Sequence, residues 1–397
     1  MKKPLVVLHV IPSISLAHGG PSRAIRLMYQ AQCALGMVVF TLTTDDDSPG
    51  RRLSGEEKLD PNRHYARKWF DFYKVAPGLV PWLIQHVHNY DVVHIHALFS
   101  FSSVVAAWAA RHAGVPYIIR PLGTLTNYGR TQRRPWLKRL SLKWIEGPLL
   151  RDAAAVHFTS LDEQREAAEC GVPMRGVVIP LGIEAPAVTD DAMVRSRFVA
   201  LQDDRYLLYL SRLDPKKNVE GLLHAFAQCL AQLPNTKLLI AGNGTPDYVA
   251  SLVALASALG LDKQVIWAGH IDGELKASAL AGAMLFVLPS FSENFGIAAA
   301  EALMAGLPCV LGLGVAISVD VVDADAGIAV HPTPDAIAAG ISQLLGDEQI
   351  RTQMSVNATA LARRKFSVEA MGRNLVTMYR GVSSSEVKRL HTQNNFL

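Results

Sequence analysis

Pro289-Ser290-Phe291-Ser292-Glu293-Asn294-Phe295-Gly296-Ile297 is the most informative stretch of this 397-residue chain. The apolar run 285–288 before it has the length of a buried strand, and the Ala-rich stretch after Ile297 reads as a helix ending near Gly306-Leu307-Pro308. A strand thus delivers its C-terminal end to a loop, and the loop opens a helix whose free N–H groups favour an anion. A diphosphate suits such a place. Glu293 lies just before the helix and Glu301 about two turns inside it, so two carboxylates can accept hydrogen bonds from hydroxyls on separate parts of one elongated ligand. A capping Glu293 and a solvated Glu301 explain the same two residues equally well.

Earlier in the chain, the run 206–210 leads into Ser211-Arg212-Leu213-Asp214-Pro215-Lys216-Lys217-Asn218, which puts Arg212 and Lys217 at the C-terminal end of a strand, where open α/β sheets bind ligands. Two cations beside a diphosphate stabilise a leaving group, each such hydrogen bond contributing roughly 1.5–3 kcal/mol. Further runs at 237–241, 265–268 and 309–311 alternate with helical segments, as do 5–11, 38–43, 92–95, 117–119, 155–159 and 177–179 in the first half. That alternation predicts parallel sheets covered by helices. The expected division is an N-terminal domain 1–183, a C-terminal domain 184–365, and a segment 366–397 whose helix, capped by Ser367, crosses back to the first domain before a polar tail.

Composition narrows the class. Half of the residues are hydrophobic and 19% are charged, ample for two buried cores. The 39 basic and 35 acidic residues leave a net charge of +4, too small and dispersed for a nucleic-acid protein. Four scattered cysteines suggest neither zinc nor a disulfide framework, and a reducing cytoplasm fits best. No run is long enough to span a membrane.

The elements S-R-L-x-P-K-K-N and P-S-x-S-E-N-F-G-I-x-x-x-E-A-L-x-x-G-L-P together resemble glycosyltransferase family 4, retaining enzymes of the GT-B fold. The resemblance extends to Gly19-Gly20, to His96 after Asp91-Val92-Val93-His94-Ile95, to Val178-Ile179-Pro180-Leu181-Gly182-Ile183 and to Gly242-Asn243-Gly244. It implies two Rossmann-like α/β domains facing one another across a cleft, with the donor site mainly in the second. By the same resemblance Glu301 holds the donor ribose, Glu293 contacts the transferred sugar, and Arg212 and Lys217 bind the diphosphate. Gly242, Asn243, Asn294, Phe295, Gly296 and Ile297 complete the donor site, and Gly19 and Gly20 let the N-terminal loop approach the phosphates. His96 matches a histidine that contacts the donor sugar, whereas His94 is read as a core residue on the opposite face of its strand.

The expected reaction is a retaining transfer of a hexose-type sugar from a UDP- or GDP-sugar, without cofactor or metal, to a glycan or lipid-linked acceptor in exopolysaccharide, O-antigen or glycolipid synthesis. Retention in this family is explained by same-face attack, so Glu293 is not assigned as a nucleophile. Arg120 and Gly123, after another strand of the first half, are the acceptor-side candidates. A nucleotide-sugar epimerase of the same architecture and a non-catalytic sugar-nucleotide-binding subunit are the alternatives. One departure stands out: many relatives carry a glycine pair and a glutamate where this chain has Gly312-Leu313-Gly314-Val315-Ala316-Ile317.

Asp45-Asp46-Asp47 and Asp323-Ala324-Asp325 contain the D-x-D spacing of metal-dependent transferases, but both are read as solvated loop acids. Between Arg130 and Lys143, Arg133, Arg134, Lys138 and Arg139 add to the basic charge with no acid, interleaved with Trp136, Leu137, Leu140 and Leu142 and followed by Trp144. Either an anionic membrane surface or the protein's own sheet can receive that segment. The first option makes the enzyme peripheral on the cytoplasmic face of the inner membrane.

Overall fold

The computed structural model describes residues 3–15, 20–48, 51–52, 60–131, 135–201, 203–233 and 235–384. The chain forms two compact units, Met1–Gly182 with Val368–Leu397, and Ile183–Ser367.

In the first unit, β1 (Val6–Val10), β2 (Val38–Thr44), a two-stranded antiparallel hairpin of β3 (Asp46–Ser48) and β4 (Arg51–Arg52), β5 (Arg63–Ala66), β6 (Val92–His96), β7 (Tyr117–Arg120), β8 (Ala155–Phe158) and β9 (Gly176–Val178) follow in chain order. Seven of them make a parallel sheet in the order β5-β2-β1-β6-β7-β8-β9. One face of it presents Leu8, Val10, Val93 and Ile95 to a core shared with Ala106, Ala107 and Leu83. Residues between those positions point to the other face, because strand side chains alternate. There the chain places His9, His94 and His96, all fully buried.

Helices Gly20–Ala34 and Val368–Ser383 cover that second face. They approach closely: a Cβ on Gly372 would lie 3.0 Å from the Ala31 methyl. The amide of Gly182 lies 3.1 Å from the sulfur of Met371.

In the second unit, β10 (Arg205–Leu210), β11 (Thr236–Ala241), β12 (Val265–Gly269), β13 (Leu285–Leu288), β14 (Cys309–Gly312) and β15 (Gly327–Val330) form a parallel sheet in the order β12-β11-β10-β13-β14-β15. Strands β10 and β13 are hydrogen-bonded neighbours although two strands separate them in sequence. The direction of winding reverses between them, which parts the loops leaving their C-terminal ends and opens a crevice there. β1 and β6 make the same reversal in the first unit.

Sequence patterning missed β5 and β15. Both are four-residue edge strands, too short for a period to register. Towards the end of the second unit two helices, Pro334–Gly346 and Glu348–Leu361, are parted at Asp347, which caps the second by accepting from the Ile350 amide at 3.0 Å.

Candidate active site

At the crevice of the second unit, the loop leaving β10 turns through one short helical turn, Pro215–Lys217. The Asp214 carboxylate starts that turn by accepting from the Lys216 amide at 3.0 Å. Asn218 ends it in the left-handed region, φ 57°, and its Nδ2 donates to the carbonyls of Pro289 at 3.2 Å and Pro332 at 2.9 Å. The Phe291 amide donates to the Lys216 carbonyl at 2.9 Å. These bonds tie the loop after β10 to the loop after β13, two stretches about 75 residues apart in sequence. They bring the Lys217 ammonium onto a carboxylate oxygen of Glu293, Lys217 being buried and Glu293 half-buried.

Glu293 is held by its backbone as well, its amide donating to Gly314 at 2.8 Å and its carbonyl accepting from Ala316 at 3.1 Å. The capping reading of Glu293 therefore fails. Gly296, φ 90°, precedes the helix Ile297–Met304, and no side chain caps it. Glu301 is not a solvated acid either, because Lys276 donates to it at 2.7 Å.

Gly312 and Gly314, where the sequence leaves the family pattern, have a packing role. A Cβ on Gly312 would sit 2.4 Å from the Ser290 carbonyl and one on Gly314 2.0 Å from that of Phe291, so their absence lets β14 support the Glu293 loop. Gly242, φ 152°, lies against the loop after β10 in the same way, its missing Cβ 1.8 Å from the Ser211 carbonyl. Arg212, Asn243 and Asn294 are exposed, and Ile297 is exposed at the helix start. Phe295 is 4% exposed, its ring packed edge-on against Phe366.

In the first unit Gly19 lies outside the described residues, and Gly20 opens the helix Gly20–Ala34 in an exposed position. His96 ends β6 and is wholly buried, so its ring meets neighbouring histidines rather than solvent. His94 is not on the opposite face, as expected; its ring centroid is 4.3 Å from that of His96, because positions two apart on a strand share a face. Burial lowers the pKa of His9 to about 4 and of His157 to about 3, and takes His94 and His96 well below 6.5. All four rings are neutral near pH 7.

Arg120 pairs in register with His96 and is 3% exposed; among the described residues its Nε and one Nη have no hydrogen-bond partner. Burial lowers its pKa to about 10. Gly123 is committed locally, its amide donating to Glu163 at 2.7 Å, and that carboxylate also accepts from the amide and hydroxyl of Thr159.

Asp45, Asp46 and Asp47 are not solvated, against expectation. Asp46 is fully buried and paired with Lys68 and, at 2.6 Å, Lys74; the acid is consumed by the protein's own cations. Asp323 and Asp325 are exposed. Of the basic segment, Arg133 and Arg134 lie outside the described residues, Arg130 pairs with Glu169 at 3.0 Å, and Arg139 and Lys143 are exposed. Sequence reasoning missed Lys276, on the helix Gly273–Gly282, the His96 partner His9, and Gln32 and Tyr379, which bond His9 and His94 in turn. No local motif marks any of them, because each acquires its role only by packing.

Among known proteins, residues 194–361 match the model for glycosyl transferases group 1, and residues 19–182 match that for the glycosyl transferase 4-like domain. An uncharacterized glycosyltransferase of Methanocaldococcus jannaschii is 33% identical over 46% of this chain and 47% of its own length. The alpha-D-kanosaminyltransferase of Streptomyces kanamyceticus is 30% identical over 60% of this chain and 64% of its own. The chain thus spans about half to two thirds of these curated relatives. Among solved structures, HepE of Anabaena in complex with UDP and glucose superposes with a TM-score of 0.73 over 95% of this chain and all of that one, at 20% identity. That likeness, and one to sucrose-phosphate synthase of Thermosynechococcus elongatus at a TM-score of 0.68 over 95% and 99% of the two chains and 20% identity, gives the fold as GT-B. With two parallel-sheet units of nucleotide-binding topology and both halves matched by models of one family, the chain belongs to the group 1 glycosyltransferases, family 4.

Proposed function

We propose that this protein is a retaining glycosyltransferase that moves a hexose-type sugar from a UDP- or GDP-sugar to a glycan or lipid-linked acceptor, in exopolysaccharide, O-antigen or glycolipid synthesis. The observation that carries this reading is the meeting of Lys217 and Glu293 at the strand-order reversal of the second unit, next to the uncapped start of the helix bearing Glu301. A donor diphosphate arriving there finds the Lys217 ammonium, the exposed Arg212 and free helix N–H groups, all of which gain strength as charge builds on the leaving group. Displacing the Glu293–Lys217 contact frees a carboxylate to accept from sugar hydroxyls, while Glu301 faces the ribose. Cations of the protein take the neutralising part, so the reaction needs no metal.

The acceptor falls to the first unit, with Arg120 as its anchor. A cytoplasmic, peripheral membrane position suits a lipid-linked acceptor. Trp136 is 66% exposed, Trp144 67% and Leu140 53%, next to the exposed Arg139 and Lys143. Glu146, the one acid of the segment 127–151, is turned inward, accepting from the Tyr73 hydroxyl at 2.6 Å and from Ser141. Basic and aromatic groups therefore face out with no acid among them, the pattern that binds anionic lipid.

The test is an assay with UDP- and GDP-linked hexoses against lipid extracts, with and without a chelator, reading product anomer by NMR. An α-linked product from an α-linked donor, unaffected by chelation, is the expected outcome. Conversion of donor without acceptor identifies an epimerase instead, and donor binding without turnover identifies a non-catalytic subunit.

A further inference from the structure

Six buried polar side chains of the first unit form one connected hydrogen-bond chain. His157 Nε2 lies 2.9 Å from the Ile179 carbonyl, and His157 Nδ1 3.4 Å from His94 Nε2. His94 Nδ1 is 2.8 Å from the Tyr379 hydroxyl, which is 3.2 Å from Gln32 Nε2. Gln32 Oε1 is 2.8 Å from His9 Nε2, and His9 Nδ1 is 2.8 Å from His96 Nε2. At the end, His96 Nδ1 has no partner among the described residues.

The direction of every bond follows from its first member. A carbonyl only accepts, so His157 donates from Nε2, and a neutral imidazole then has Nδ1 as an acceptor. His94 must therefore donate from Nε2 and accept at Nδ1, which commits the Tyr379 proton to His94. The Tyr379 oxygen, its proton spent, needs a donor facing it. Among the described residues the amide nitrogen of Gln32 supplies one, and that turns Oε1 towards His9. His9 donates to it from Nε2 and accepts at Nδ1 from His96 Nε2. Reversing the Gln32 amide would set two oxygens against each other with no proton between them. One backbone carbonyl thus sets the tautomer of four histidines.

We infer that this chain is a positioning device for the transfer reaction: it holds His96 as the neutral Nε2–H tautomer, with Nδ1 left as the single uncommitted acceptor at the C-terminal end of β6, and Tyr379 and Gln32 are its positioning residues. The place is one where a nucleotide-binding sheet receives ligands, at the strand-order reversal between β1 and β6. The turn after His96 is set by the same strand end: Ala97, φ 87°, donates from its amide to the Arg120 carbonyl at 2.9 Å and accepts at its own from Ser103 at 2.9 Å. Beside His96, the Nε and one Nη of Arg120 are donors without acceptors among the described residues. A hydroxyl can complete either residue, donating to Nδ1 or accepting from the guanidinium, whereas an ionised phosphate has no proton to donate and a metal ion accepts no hydrogen bond. His9, His94 and His96 have ring nitrogens within 4.8 Å of one another, the spacing of a metal site, yet the chain engages each of those rings in a hydrogen bond.

Tyr379 comes from the helix Val368–Ser383, which follows the second unit in the chain yet belongs to the first. The first unit's polar interior is therefore unfinished until the last helix docks.

The role in transfer rests on the glycosyltransferase reading; the tautomer assignment does not. The experiment is 15N NMR of protein carrying ring-labelled histidine, free and near pH 7, with Tyr379→Phe and Gln32→Met as variants whose folding is checked by circular dichroism. Expected are four neutral Nε2–H signals for His9, His94, His96 and His157, unchanged by a chelator, and loss of the single-tautomer signature of His96 in both variants. A Nδ1–H form or an imidazolium among the four, or spectra altered by chelation, overturns the assignment. In the transfer assay Tyr379→Phe is expected to lower kcat about tenfold or more with the donor KM changed less than twofold. Unaltered kcat with a disturbed His96 overturns the positioning role, and a wild-type protein without transferase activity sinks the functional reading while leaving the tautomer result standing.

Discussion

The polar cluster around His96 in the first unit and the one around Lys217 in the second are managed in opposite ways. In the first, histidines, a glutamine and a tyrosine are sealed between a sheet and two helices, neutral and hydrogen-bonded to one another. In the second, charged groups on strand-end loops and neighbouring helices pair as ions that are only partly covered, Glu293 retaining 20% and Glu301 11% of side-chain exposure. A sealed network is costly to leave incomplete and so fixes geometry, whereas a partly hydrated ion pair can exchange its partner for a ligand at modest cost. The first arrangement suits holding a strand end in place. The second suits a site that must admit and release a diphosphate.

This contrast is most exposed at Lys217. If its ammonium stabilises the leaving group, Lys217→Ala lowers kcat about 100-fold or more, and steady-state kinetics reading an unchanged kcat would return it to structural duty. Next in size, Asp46→Ala strips a buried carboxylate from Lys68 and Lys74. Denaturant unfolding should show a loss of about 3–5 kcal/mol, against less than about 0.5 kcal/mol for Asp323→Ala on the surface. Equal losses at the two sites would erase the distinction between buried and exposed acidic runs. For Glu301→Ala, titration with UDP and GDP should show donor affinity weaker by about tenfold, one charge-assisted hydrogen bond.

Acid separates the two units further. The folded-state pKa values of His9 and His157 lie near 4 and 3, below the 6.5 of an exposed histidine, so between these limits the unfolded chain binds protons that the folded one refuses. Stability is therefore full above about pH 6.5 and falls as pH drops towards 4, by about 1.4 kcal/mol per pH unit for each histidine fully in that window. His157→Phe should flatten the slope measured by thermal unfolding between about pH 6 and 4.5. The smallest expected effect is at the aromatic surface, where Trp144→Ala weakens sedimentation with phosphatidylglycerol vesicles by a few-fold and leaves transfer to a soluble acceptor intact.

Much of the second unit is legible in the sequence. A strand, a loop rich in small and polar residues and an Ala-rich helix follow in a short stretch, with Glu293 in the loop and Glu301 on the helix, and Lys217 stands in the same way past the end of β10. Local geometry of this kind is written in adjacent residues. The salt-bridge partner Lys276 is not, since it lies on a different helix and meets Glu301 only through folding. Asp45–Asp47 mislead for the same reason: a run of three acids reads as solvated until Lys68 and Lys74 are brought against it.

Hydrophobic period and short contiguous motifs were enough to establish the alternation of strand and helix, the strand-end placement of the charged loops and the family, because each of these depends on neighbours along the chain. Folding alone decided that His94 and His96 share a face with His9, that Gln32 and Tyr379 join them across 347 residues of chain, and that a single carbonyl orients them all. Hydrogen-bond direction is a property of a closed set of neighbours, and a linear sequence does not contain its neighbours until it has folded.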